Sequence, residues 1–130
     1  MVFMMLTLLN AAIKWYSQKG VNDKQKIFGT ITLIFAHTQL SLGIILYFIS
    51  PKVKFDLNLL SSPIIRFFTI EHIALMLIAI TILTIGNRKI KTTKDALKVS
   101  KLTLIWFSIA FVIILFAIPW PFRNLGAGWL

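Results

Sequence analysis

From Ile27 to Ile49 the sequence runs 23 residues without an aspartate, glutamate, lysine or arginine. As a helix that run is ~34 Å long, enough to cross a hydrocarbon layer of ~30 Å with some tilt. Lipid offers the backbone no hydrogen bonds, so a segment in it must satisfy its own amides, and a helix does so within one segment. Two more apolar runs follow: Ile64 to Ile85, which carries Arg66 and Glu71, and Leu102 to Trp120, which carries no charge. A fourth, Met1 to Ile13, is apolar but about 13 residues long, where a span needs roughly 20. The chain therefore reads as all-α: an integral membrane four-helix bundle with three full spans and a short or partial first helix. Residues 1–130 form one transmembrane domain, with helices at about 2–16, 27–49, 64–85 and 102–120.

Composition supports the lipid reading and removes others. Hydrophobic residues make up 58% of the chain, whereas soluble domains usually hold under half. The net charge of +10 does not point to nucleic acid, because the bases lie in short segments between apolar runs. With no cysteine, disulfides, thiolate metal sites, cysteine nucleophiles and covalently attached c-type haem are excluded. Met1 to Ile13 lacks the basic leader and clean cleavage site of a signal peptide. It reads as half of a first helix, either short in itself or preceded by a misplaced start.

Local signals set the element ends. Gly20-Val21-Asn22-Asp23 reads as a turn. Ser50-Pro51 stops the second helix, since the residue before proline disfavours the helical region. Ser61-Ser62-Pro63 starts the third, with proline in its first turn, and Gly86-Asn87 closes it. Pro119 and Pro121 bracket Trp120 and end the fourth. Trp15, Tyr16, Tyr47, Trp106 and Trp120 suit membrane interfaces. Gly126-Ala127-Gly128 reads as a flexible tail. The segments 14–26 and 88–101 hold ten lysines and arginines, against Lys52, Lys54, Arg66 and Arg123 elsewhere. By the positive-inside rule both segments are cytoplasmic, and the C-terminus lies on the opposite side.

The chemistry sits inside the spans. Glu71 and His72 stand side by side within Arg66 to Gly86, and His37 lies within Ile27 to Ile49; the chain has no other histidine. Ionisable groups inside a membrane are costly and are functional candidates by default. Counted from Ile27 and Ile85, His37 and His72 lie ~15 and ~20 Å deep, within about one turn of a common level. That is the placement a b-type haem with two axial imidazoles needs. On this reading His37 and His72 are the axial ligands, and the only metal is the haem iron. Glu71, turned about 100° from His72, faces a neighbouring helix or meets His37 or Gln39, as a group beside the ligands, a proton relay or a structural hydrogen bond. The plainer alternative is interhelical hydrogen bonding worth ~0.6 kcal/mol per group. Two histidines and one carboxylate make no metal site without haem, and no hydrolytic or phosphoryl-transfer motif is present.

His37-Thr-Gln-Leu-Ser-Leu-Gly-Ile-Ile-Leu-Tyr-Phe-Ile-Ser-Pro51, Arg66-Phe-Phe-Thr-Ile-Glu-His72 with Met76, Ile85-Gly86 and Ile118-Pro-Trp-Pro-Phe122 resemble a family of small polytopic inner-membrane proteins of Bacteroidetes-type bacteria, often labelled cytochrome B. The resemblance covers about residues 27–122. It implies haem b, a bacterial inner-membrane location and a periplasmic C-terminus. The family's longer first helix holds a His-Ser…Arg-Trp element that this sequence lacks. Two functions are expected first from these readings, and a third after them. One is a b-type haem protein passing electrons, alone or within a respiratory membrane complex. The other is a cofactor-free accessory subunit whose His37, Gln39 and Glu71 bond between helices, bound to other inner-membrane subunits or to its own copies. A third is a proton-coupled carrier using Glu71.

Overall fold

The computed structural model describes residues 1–18, 23–51, 53 and 62–124. Residues 20–22 of the expected 20–23 turn, most of the 52–61 connection and the 126–128 tail lie outside the described residues; Asp23, the last residue of that turn, instead opens a helix. Four long helices account for nearly all of the rest: α1 (Val2–Tyr16), α2 (Asp23–Ile49), α3 (Pro63–Thr92) and α4 (Ala96–Ala117). No strand occurs among the described residues. Helix α2 packs on α1 and α3, and α4 packs on α3 and closes the ring against α1. The all-α four-helix bundle is as the sequence implied.

The end signals at Pro51 and Pro63 act as read: α2 finishes at Ile49, and Pro63 opens α3 after Ser62. The end at Gly86-Asn87 does not. Helix α3 continues to Thr92, and α4 starts at Ala96 rather than near residue 102. Both helices run out of the apolar zone into the basic segment, which hydropathy cannot see. Asp95 forms the break between them: its carboxylate accepts from the backbone N–H of Leu97 at 2.9 Å and of Lys98 at 3.4 Å, an N-cap. Gly86 is interior instead. A Cβ placed there would lie 2.5 Å from Trp106 Cβ, so the missing side chain is what lets α3 and α4 approach.

The packing is that of a membrane protein. Thr7, Ala11, Ala79, Gly86, Ser100, Thr103 and Ala110 are buried, whereas Ile34, Phe35, Leu42, Ile45, Phe48, Ile109 and Phe116 are exposed. Small residues thus line much of the interior beside large ones such as Phe67, Phe107 and Leu83, and many large apolar residues face outward, as lipid allows because the hydrophobic effect does not drive helices together there. Three helices are long and apolar enough to cross a membrane. The Thr7 and Thr32 hydroxyls meet at 2.9 Å between α1 and α2, and Phe3 stacks on Phe35 at 4.9 Å.

Helix α1 has 15 residues, ~22 Å, and so flanks only part of the bundle. Where it overlaps the others, Met4, Leu83, Ile90, Val99, Phe107 and Ala110 form the core. That core lies toward the basic end, the end carrying 14–26 and 88–101. Toward the far end only α2, α3 and α4 remain, and the candidate site lies there.

Candidate functional site

Helix α3 does not start as a regular α-helix. Phe67–Glu71 is a π-helical turn, a form rare outside functional or strained places. Its wider winding brings residues five apart together. Arg66 Nε donates to Glu71 Oε1 at 2.8 Å. Glu71 is therefore paired with Arg66, and no described hydrogen bond joins it to His37 or Gln39. The same turn presents the Thr69 carbonyl to α2, where Tyr47 Oη donates to it at 2.9 Å. The Thr69 hydroxyl itself is buried and has no partner among the described residues.

His72 follows the π turn directly. Its ring lies near Phe67 and Phe68, with centroids 6.0 and 6.4 Å away. Its Nδ1 is 2.7 Å from the Ala117 carbonyl, at the last residue of α4. A carbonyl only accepts, so Nδ1 carries the proton and Nε2 keeps its lone pair when the ring is neutral. The contact completes the end of α4, whose last carbonyls lack partners within the helix. Ile118 N donates to Ile114 O, Trp120 Nε1 to Leu115 O, Arg123 to Phe116 O and His72 to Ala117 O. Arg123 also lies over the Phe67 ring at 4.9 Å. Sequence reading missed this role for His72, and no local motif signals it.

His37 is exposed, and its Nδ1 meets the Leu33 carbonyl of its own helix at 2.9 Å. It borders a groove of about 300 Å³ with Leu40, Leu77, Ile80, Thr81, Thr84 and Ile85. His72 borders a different space: a cavity of about 570 Å³ between the start of α1 and α2, α3 and α4. The two spaces share Leu40 and Ile80. The Tyr47–Thr69 bond and the groove define the antiparallel register of α2 on α3. It sets His72 level with about Ile44, seven residues or ~10 Å beyond His37. The expected match in depth fails because this register sets Ile27 level with about Lys89 rather than with Ile85, the two ends from which the depths were counted.

One haem iron takes its two axial nitrogens from opposite faces of a single ring. Each imidazole alone has the ligand tautomer, with Nδ1 on a main-chain carbonyl and Nε2 open. As a pair they do not fit, since they border separate spaces about two turns apart. No group of three or more His, Cys, Asp or Glu is placed to hold a metal ion among the described residues.

Comparison with known protein families, curated proteins and solved structures gave no match to this chain. The site has to be read from its own geometry.

Proposed function

We propose that this chain is an accessory subunit of a larger complex in the bacterial inner membrane, joined to a transmembrane helix of its partner along the α2–α3 groove. One observation supports this above others. His37, Thr81 and Thr84 are exposed along that groove, within the apolar zone. Thr81 and Thr84 bond back to Leu77 and Ile80 carbonyls, and Ser41, one turn from His37, bonds to the His37 carbonyl. Among the described residues the second nitrogen of His37 has no partner. Lipid cannot supply one, whereas a polar side chain on a neighbouring helix can. Helix α2 is also the least covered span. Its apolar window is 6% buried, against 22% for α3 and 28% for α4. By the positive-inside rule the 14–26 and 88–101 segments are cytoplasmic.

The test is a triple variant, His37→Phe, Thr81→Val and Thr84→Val, which keeps shape and removes polarity. The wild type extracted in mild detergent is expected to migrate in native gels as a hetero-complex that a photo-crosslinker at Ser41 joins to one partner. The variant should keep its helical circular dichroism and lose that complex. A wild type that migrates as a monomer, or only as copies of itself, would overturn the proposal. The electron-transfer reading, with His37 and His72 on haem b, makes the opposite forecast in a second measurement. The accessory reading expects no b-type absorption band in the dithionite-reduced, freshly purified protein. A band lost in both His37→Ala and His72→Ala would restore the haem pair.

A further inference from the structure

The cavity beside His72 lies on the other side of Leu40 and Ile80 from the α2–α3 groove. It reaches from Met4 and Ile80 to His72 and Pro119. Its lining on α2 runs from Thr32 to Tyr47, ~22 Å along the axis. A volume of about 570 Å³ spread over that length is a narrow slot. Its walls are mostly aliphatic, and its polar groups are graded. Tyr47 and His72 lie toward the far end, Gln39 midway, and the part near Met4 is apolar apart from Thr32 and the amino end of Met1. Thr32 is already bonded to Phe28 O and Thr7. None of the described lining residues is Lys, Arg, Asp or Glu. The nearby cations are engaged elsewhere: Arg66 with Glu71, Arg123 with Phe116 O and the Phe67 ring.

These features select a ligand class. A long apolar slot with one polar end suits an amphiphile with its head at the membrane surface and its chain toward the bilayer centre. No Lys or Arg lines the His72 end, and the Met1 amino group stands at the opposite end; a phosphate head beside His72 would lack the charge that compensates its desolvation. His72 Nδ1 is committed to Ala117 O, so the neutral ring offers Nε2 as an acceptor, and the ligand must bring the donor. We propose that the cavity holds one molecule of a neutral lipid with a hydroxyl head, the hydroxyl donating to His72 Nε2 and the hydrocarbon running past Met76 and Ile80 toward Met4. A prenylated hydroquinone and a diacylglycerol both have this chemistry.

The test uses native mass spectrometry of the delipidated protein in detergent, titrated with a prenylated hydroquinone kept reduced, with 1,2-dioctanoylglycerol, and with the O-methyl ethers of both. One hydroxyl lipid is expected to form a saturable 1:1 adduct, and the one that does identifies the source. Its ether should bind at least fivefold more weakly. Met76→Trp, which fills the slot, should abolish the adduct. His72→Phe should weaken it at least fivefold. If His72→Phe does not fold, the ethers and Met76→Trp decide, since both leave His72 in place. The proposal is overturned if neither hydroxyl lipid gives a saturable adduct, if the ethers bind equally well, or if phosphatidylglycerol displaces the hydroxyl lipid at equal concentration.

Discussion

The two histidines separate by what they are bonded to. His72 bridges α3 to the end of α4 through Ala117 O, and its loss leaves a half-buried carbonyl unpaired. His72→Ala should therefore cost about 1–3 kcal/mol, read as a lower midpoint in detergent unfolding. His37 bonds only within its own helix, so His37→Phe should change the isolated chain by less than ~0.5 kcal/mol. Equal losses for both would contradict the described packing. The glycines divide in the same way. At Gly86 an added methyl would meet Trp106 Cβ, and both atoms belong to packed helices. Gly86→Ala should cost about 1–3 kcal/mol. At Gly43 nothing lies within 4 Å of the added carbon. Gly43→Ala should be neutral or stabilise by up to ~1 kcal/mol, because glycine is a poor helix former. Thermal unfolding of the two variants side by side checks this contrast.

At the scale of elements, the joint between α3 and α4 is tied at three places. Asp95 caps α4, Lys26 Nζ donates to Thr93 O at 3.0 Å, and Lys89 lies over the Trp106 ring at 4.7 Å. Asp95→Ala removes a cap and should lower stability by ~1 kcal/mol with helix content nearly unchanged. Circular dichroism with detergent unfolding measures both. A fall in helix content of several turns would mean that Asp95 nucleates α4 rather than caps it. The π turn at Phe67–Glu71 works on the opposite end of α3. It puts Arg66 on Glu71 and Thr69 O on Tyr47, which disposes of a carboxylate and a carbonyl at the far end of the bundle. A hydropathy profile registers Glu71 as a buried charge; the turn makes it half of an ion pair.

For the whole molecule, the uneven overlap of the helices sets the layout. Helix α1 fills the space between α2 and α4 at the basic end and leaves the far end to three helices. Core and cavity thus occupy opposite halves of one bundle. Orientation in the membrane is checked directly because the chain has no cysteine. In intact cells an impermeant maleimide should label a Phe122→Cys variant and spare Lys94→Cys until the membrane is opened. The reverse pattern would invert the topology derived from the basic segments.

The sequence alone determined that this chain forms helices long and apolar enough to cross a membrane, and roughly where they lie. Those features follow from hydropathy, length and proline positions, each of which acts locally and against a solvent that tolerates no unpaired backbone. The fate of Glu71, His72 and His37 was decided by tertiary structure. Which residue meets a buried polar group depends on helix register and rotation. Register here rests on contacts far apart in sequence, such as Tyr47 with Thr69, His72 with Ala117 and Gly86 against Trp106. Helix ends on the basic side were hidden for a related reason. Hydropathy reports where lipid stops, whereas α3 and α4 stop only where Thr93 to Asp95 turn the chain and Asp95 caps the next helix.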